Sequence, residues 1–166
     1  MTEPALRAFE HESNALGAAI RDAIPPMTLE AIDQVRKVEN VFSLLPQELV
    51  YTHHVLHGGL YSRTMRIPEG IIITGALIKI ATLLIVQGDA LVWTGKERVL
   101  LEGYNILPAH ANRKQLFLAK TDVLLTMIFP TQAKTIEEAE REFTDQYAEL
   151  SSRQDGNKNF VIITGV

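Results

Sequence analysis

The spacing of apolar residues divides the chain of 166 residues into three sections with different periodicity. The first section, residues 1–48, predicts two helices. Thr2 can cap the first helix, which the Pro25-Pro26 pair ends, and Thr28 can cap the second, which stops near Pro46. Apolar residues recur at helical spacing in both. They are Leu6, Phe9, Leu16 and Ile20 in the first helix, and Leu29, Ile32, Val35, Val38 and Phe42 in the second.

The second section, residues 49–130, carries short segments rich in β-branched and aromatic residues, separated by turn signals. Strands this short, at nearly even spacing and without helices between them, are typical of an antiparallel sandwich or barrel. The segments read GGLYSRTMRI, TLLIV, ALVW, RVLL, QLFLA and VLLTMIF, and the turn signals include PEG, QGD, TGK, EGY and KTD.

The third section, residues 131–166, begins with a capping box in which Thr135 is the cap and Glu138 its partner. The acidic helix that follows carries an apolar stripe. The turn residues SRQDGNKN end it, and an apolar tail strand, FVIITGV, comes next. This strand leaves an unpaired edge unless it joins a sheet. These elements either cover the chain's own barrel or dock on another subunit. The candidate interface residues are Phe143, Tyr147, Leu150, Phe160, Val161, Ile162 and Ile163.

Composition and charge argue against several classes of function. A net charge of −4 without a Lys or Arg run argues against nucleic acid as a partner. The chain has no cysteines, which removes disulfides and thiolate chemistry. The longest apolar run, residues 75–86, contains Lys79 and is far shorter than the roughly 20 residues of a membrane span. The acidic start of the chain lacks the features of a secretory signal. We therefore expect a protein of the cytoplasm or of a particle assembled there.

The segment from Arg66 to Phe129 resembles a cupin domain. Residues 66–70, RIPEG, match the entry to the domain, Gly88 matches its inter-strand turn, and Gly103 with Pro108 match the start of its second motif. The resemblance covers about half of the chain. It implies a mainly β fold, a cupin-type antiparallel β-barrel or jelly roll, here framed by N-terminal helices and by a C-terminal helix with a tail strand.

Cupin enzymes hold a divalent metal through a His-x-His pair, a Glu a few residues later and a His in the second motif. By this resemblance the pair falls near residues 74–77, the Glu near Ala81 and the last His at Arg113. None of these side chains can ligate a metal, and a guanidinium stays protonated. The resemblance without its ligands predicts no catalysis, no cofactor and no conventional metal site.

Three of the five histidines lie close together in the segment YTHHVLH. In a strand, His53 and His57 share a face but stand about 13 Å apart, while His54 points to the other face. In a helix, His53 and His57 would lie one turn apart, but Gly58-Gly59 would end that helix at once. We expect surface or intersubunit histidines, with His53, His57 and His110 as the alternative metal candidates.

The barrel interior has candidates for an anion pocket. If the odd-numbered residues of GALIKIA face inward, Lys79 joins Tyr61, Arg63 and Arg113 near one lumen, with His110 close by. Several cations buried together would need carboxylates or an anionic ligand. The alternative is a register shifted by one residue, which places Lys79 and Arg63 on the solvent face.

The segments TGALIKI, LLIVQGD, EGYNILPA and AKTIEEAEREFTD are similar to small cupin-like proteins of tailed bacteriophages. This similarity favours a homo-oligomeric structural or virion-associated protein, with other phage or host proteins as partners. One alternative is a phage protein that binds or sequesters a small anionic, nucleotide-like host ligand. The other is a metal-dependent cupin enzyme.

Overall fold

Two helices and ten strands make up the part of the chain that the computed structural model describes, residues 23–95 and 97–165. The helix predicted on residues 2–20 lies outside these residues. The elements are α1 (Leu29–Phe42), β1 (Tyr51–His57), β2 (Leu60–Ile67), β3 (Ile72–Thr74), β4 (Thr82–Gln87), β5 (Ala90–Trp93), β6 (Arg98–Leu101), β7 (Tyr104–Ala109), β8 (Leu116–Ala119), β9 (Val123–Pro130), α2 (Ile136–Phe143) and β10 (Lys158–Thr164).

The strands form two sheets. A six-stranded sheet has the order β10-β1-β2-β9-β4-β7, and a four-stranded sheet has the order β3-β8-β5-β6. All pairs are antiparallel except the β1–β10 pair, which is parallel. The prediction of a mainly β fold is confirmed, and the tail strand, for which the sequence indicated no partner, pairs in parallel with β1. Alternate residues of each sheet face a shared core, to which Leu56, Val86, Val92, Phe117 and Phe129 contribute.

Helix α1 begins as the sequence predicted, with the Thr28 hydroxyl accepting from the Ala31 amide at 3.2 Å. Its buried face packs with Leu77 and Trp93 into a separate small cluster. An ion pair also holds the helix to the barrel, because the fully buried Lys114 ammonium donates to the half-buried Glu39 carboxylate at 2.9 Å. The Lys114 ammonium also donates to the Gly75 carbonyl, so its charge is hydrogen-bonded on two sides.

Helix α2 starts at the predicted capping box of Thr135 and Glu138. It ends earlier than the apolar stripe suggested, because Thr144 is extended and the chain continues through two short 3₁₀ turns. Phe143 and Leu150 are buried in the chain's own core, so their prediction as subunit-interface residues is wrong. The Phe143 ring packs against Tyr61 and Phe129, with ring centres 6.3 and 5.9 Å away, and this contact docks the buried face of α2 against the core.

The tail strand β10 lies at the edge of the six-stranded sheet, and its seven residues are all exposed. Two β1 histidines contact it: the His53 ring meets the Phe160 ring edge-on, and His57 Nδ1 lies 2.9 Å from the Thr164 hydroxyl. His53 and His57 are on the same, exposed face of β1, as the strand alternative predicted. The exposed interface candidates of the tail therefore remain Phe160, Val161, Ile162 and Ile163.

Gly88 makes the turn between β4 and β5, with a φ of +106° that favours glycine. A Cβ at this position would overlap the backbone carbonyl of Asp122, which belongs to the turn before β9. Gly103 also has a positive φ, +70°, but a Cβ there would meet open space. An alanine at Gly103 would therefore meet only the cost of the left-handed backbone, whereas an alanine at Gly88 would meet that cost and a steric overlap as well.

We expect Gly88→Ala to lower the free energy of unfolding by more than 2 kcal/mol, on the order of twice the loss at Gly103, because overlap adds to the ~1 kcal/mol cost of a left-handed alanine. Urea unfolding of both variants beside the parent chain measures the difference. Equal losses in the two variants would contradict the close approach of the Gly88 turn to Asp122.

Candidate functional site

A cavity of about 760 Å³ opens between the two sheets, inside the barrel. This volume lies in the range of about 300–1,000 Å³ that small-molecule sites occupy. Most of its walls are apolar, and its polar side chains fall into an interior group and a group at the mouth. The apolar walls include Met65, Ile71, Ile73, Ile78, Leu84, Phe117, Leu125, Met127, Phe143 and Leu150.

Arg63, on the inner face of β2, lines this cavity and is only 8% exposed. One terminal nitrogen of its guanidinium lies 2.7 Å from the Met65 sulfur, and the other donates to the Ser152 hydroxyl at 3.2 Å. Within the described chain its Nε has no hydrogen-bond partner. Burial lowers the pKa of Arg63, which expresses the cost of keeping this cation out of water.

The nearby carboxylate of Glu140 does not neutralise Arg63 directly. Glu140, on α2, is buried and accepts from Arg153 at 2.5 and 2.8 Å and from the Ser152 hydroxyl at 3.2 Å. The Ser152 hydroxyl therefore bridges the two groups: it accepts from Arg63 and donates to Glu140. The buried Glu140 carboxylate contacts Arg153 directly and Arg63 only through Ser152.

A second cation, Arg113, lines the cavity and is 2% exposed. It donates to the Ile80 and His110 carbonyls and to the Thr82 hydroxyl, at 3.2, 2.5 and 2.6 Å. These acceptors are neutral, and burial lowers the pKa of Arg113 to about 10. Gln115, two residues further on, is also buried and lines the cavity, and its Nε2 has no hydrogen-bond partner in the described chain.

Three residues predicted near the lumen lie elsewhere. Lys79 is on the outside, where it pairs with the exposed Asp145 at 2.5 Å, while Ala76 and Ile78 face the cavity. The shifted register is therefore correct for Lys79 and wrong for Arg63. Tyr61 is buried among aromatic rings and hydrogen-bonds His54, and the His110 side chain is exposed to solvent.

The metal candidates do not form a cluster. Across the described residues, no three histidine or carboxylate side chains converge closely enough to hold an ion. His53 and His57 contact β10, and the residues at the positions implied by the cupin resemblance are Thr74, Gly75, Ala76, Leu77, Ala81 and Arg113. The Arg113 guanidinium is occupied by hydrogen bonds to the backbone carbonyls of Ile80 and His110.

Sequence reasoning missed four residues around Arg63: Gln115 and Met65 line the cavity, and Ser152 and Glu140 continue the hydrogen-bond network behind it. Glu140 belongs to the helix that the sequence showed to be acidic, yet its side chain is buried. Its position four residues after the apolar Ile136 and three before Phe143 was the available signal, because residues at these spacings share one helix face.

A second, apolar groove of about 540 Å³ lies on the outside of the four-stranded sheet. Trp93 packs against α1 and borders this groove together with Val35, Val38, Leu91 and Leu116.

Within the described residues, neither helix combines the length and the apolar character that crossing a bilayer requires.

Solved structures with a similar arrangement include cupins. A cupin superfamily protein from Desulfitobacterium hafniense matches 54% of this chain and 86% of its own, with 16% identity and a TM-score of 0.42. A cupin-2 domain protein from Shewanella frigidimarina matches 56% and 91%, with 13% identity and a TM-score of 0.40. Ectoine synthase from P. lautus matches 60% and 76%, with 13% identity and a TM-score of 0.45. No protein-family model matches the sequence, and no curated protein matches it.

His54 links the core to the tail strand. Its Nδ1 lies 2.8 Å from the Tyr61 hydroxyl and its Nε2 lies 3.4 Å from the Asn159 side-chain oxygen. Burial, and to a smaller extent the Arg63 charge, lowers the pKa of His54 to about 4 from 6.5. Between pH 6.5 and 4, His54 is therefore protonated in the unfolded chain but stays neutral in the folded one. The free energy of unfolding falls as the pH falls through this range.

We expect the free energy of unfolding to drop by about 1–2 kcal/mol between pH 7.5 and pH 5 through this residue. His54→Gln keeps a side chain that can hydrogen-bond Tyr61 but cannot titrate, so its pH dependence is smaller by that amount. Urea unfolding at pH 7.5, 6 and 5 compares the two proteins. The same pH slope in both would show that His54 is not the group responsible.

Proposed function

We propose that this chain is a non-catalytic binding protein whose barrel interior takes a small molecule with an anionic or strongly accepting group. The observation that carries the proposal is a pair of buried donors, Arg63 Nε and Gln115 Nε2, which have no hydrogen-bond partner within the described residues and belong to side chains that line a ligand-sized cavity. A buried donor without an acceptor costs on the order of 1–3 kcal/mol, and more when it is charged. An anionic ligand would remove that cost.

The surrounding contacts support an anion over a neutral ligand. Arg63 has a thioether and a hydroxyl as its closest acceptors, Arg113 has only neutral ones, and the buried carboxylate of Glu140 is held by Arg153. We propose no catalytic step, because Arg113 and the aliphatic residues at the positions implied for metal ligands offer neither a metal ligand nor a general base.

The tail strand supports self-association as a second candidate function. Strand β10 carries apolar residues on both faces, with Phe160 and Ile162 on one and Val161 and Ile163 on the other, and all four are exposed. A strand that is apolar on both faces is typical of one buried on both faces. Its outer edge also offers unpaired backbone groups for pairing with another strand.

The occupant that we propose for this edge is β10 of a second copy. A twofold axis at Val161 would pair the two strands antiparallel and place Phe160 opposite Ile162. It would also place Lys158, the only charged residue of β10, opposite Thr164 rather than opposite itself. For such a homo-oligomer we propose a virion-associated assembly with other phage or host proteins, a setting that rests on the sequence-based prediction of a phage protein.

For the binding function, we expect at least one of AMP, GMP, inorganic phosphate or octanoate to raise the thermal stability of the parent chain. A ligand at a hundred times its dissociation constant adds about 2.7 kcal/mol. Arg63→Met should abolish this response without lowering the stability of the ligand-free protein, because an apolar residue of similar length replaces a poorly compensated cation. Differential scanning fluorimetry measures both quantities.

Lys79→Met is the matched control, because it removes the same charge from the outside of the barrel. It should leave the ligand response intact. The binding function is wrong if no anion of this panel shifts the melting temperature, or if both variants respond equally.

For self-association, we expect light scattering to give the mass of a dimer or a larger assembly for the parent chain and of a monomer for Ile162→Glu. Leu100→Glu is the control, since Leu100 is similarly exposed but lies at the edge of the other sheet. Ile162 is already exposed within one chain, so its replacement should leave the melting temperature nearly unchanged. A monomeric parent chain, or an unchanged mass for Ile162→Glu, contradicts this assembly.

A further inference from the structure

The mouth of the cavity carries charge opposite to that of its interior. Glu48, Glu149 and Asp155 line the cavity and are exposed. Among the described residues, no Lys or Arg side chain forms an ion pair with any of the three. The buried lining contributes Arg63 and Arg113 instead. The cavity is therefore cationic inside and acidic at its opening.

Strand pairing brings two of the mouth acids together. The Val50 amide donates to the Asn157 side-chain oxygen at 2.6 Å, and the next residue, Tyr51, pairs with Lys158. Glu48 and Asp155 each precede these contacts by two residues, so they lie on neighbouring segments beside the same opening. Carboxylates on neighbouring segments favour a cation placed between them.

Buried donors give the interior its own preference, independently of the acids. Arg63 Nε and Gln115 Nε2 are unpartnered in the described chain and belong to side chains that are more than nine-tenths buried. Both require an acceptor. Between the interior and the mouth the wall is apolar and includes Met65, Met127 and Ile73.

We infer that the ligand is bipolar: a carboxylate-type group reaches Arg63 and Gln115, an apolar body spans the wall, and an ammonium group meets Glu48 and Asp155. This inference rests on the proposed binding function and specifies its ligand class. The acids at the mouth would repel a ligand that is anionic along its whole length, whereas a molecule with opposite charges at its two ends is favoured at both.

Calorimetric titration with matched probes tests the polarity. The pairs are 6-aminohexanoate with hexanoate and 8-aminooctanoate with octanoate, in which only the terminal ammonium differs. In the parent chain we expect one of the amino acids to bind more tightly than its plain carboxylate. An ion pair near the surface is worth up to about fivefold in affinity, and two carboxylates at one ammonium increase that preference.

A double variant, Glu48→Gln with Asp155→Asn, isolates the mouth. It should reduce the ratio of the two affinities at least about threefold while the plain carboxylate still binds. The ratio of the two affinities is used because every anion binds more tightly once two negative charges are removed from the protein. That general gain in affinity cancels in the ratio. The control is Glu30→Gln with Glu102→Gln, which removes two exposed carboxylates that do not line the cavity and should preserve the ratio.

The results distinguish this inference from the function on which it rests. Equal binding of both members of each pair, or an amino-acid preference that survives in the double variant, overturns the bipolar ligand but leaves the binding function standing. Binding of a nucleotide or phosphate with no response to either amino acid does the same. A parent chain that binds none of these compounds overturns both.

Discussion

The barrel interior holds more guanidinium groups than buried carboxylates, and the polar architecture of the chain is arranged around that imbalance. Removing a cation from water costs several kcal/mol unless acceptors replace its hydration. Arg113 regains acceptors from carbonyls and from the Thr82 hydroxyl, whereas the buried Glu140 carboxylate is held by the more exposed Arg153. Within the described residues Arg63 regains least, although it lies in the wall of a ligand-sized cavity. Its incomplete compensation is a reason to expect a ligand there.

Arg113 lies at the position where the sequence resemblance implied a histidine. Its guanidinium donates to the Ile80 carbonyl and the Thr82 hydroxyl, before and at the start of β4, and to the His110 carbonyl after β7. These contacts join two neighbouring strand ends from the inside and so contribute to closing the barrel.

Local sequence patterns predicted the elements well, and the spatial relations between distant elements poorly. Thr28 and the Thr135–Glu138 box mark helix starts because capping depends on a few adjacent residues. The inward direction of Arg63 and the outward direction of Lys79 depend on sheet register, and a single-residue shift inverts either one. Glu140 escaped prediction because its partners, Ser152 and Arg153, lie in the second of two 3₁₀ turns whose path the apolar stripe did not reveal.

The cavity and the tail strand, although they suggest different functions, are connected through one residue. The Ser152 hydroxyl contacts Arg63 and Glu140, while the Ser152 carbonyl accepts from the Asn159 side chain on β10 at 2.6 Å. Asn159 in turn contacts His54, which touches the aromatic core. A ligand that replaces Ser152 as the acceptor for Arg63 would release the hydroxyl of a residue that also positions β10. One hydrogen-bond network therefore joins Arg63 in the cavity wall to the exposed edge strand, and a ligand at the one and a partner strand at the other would both act on it.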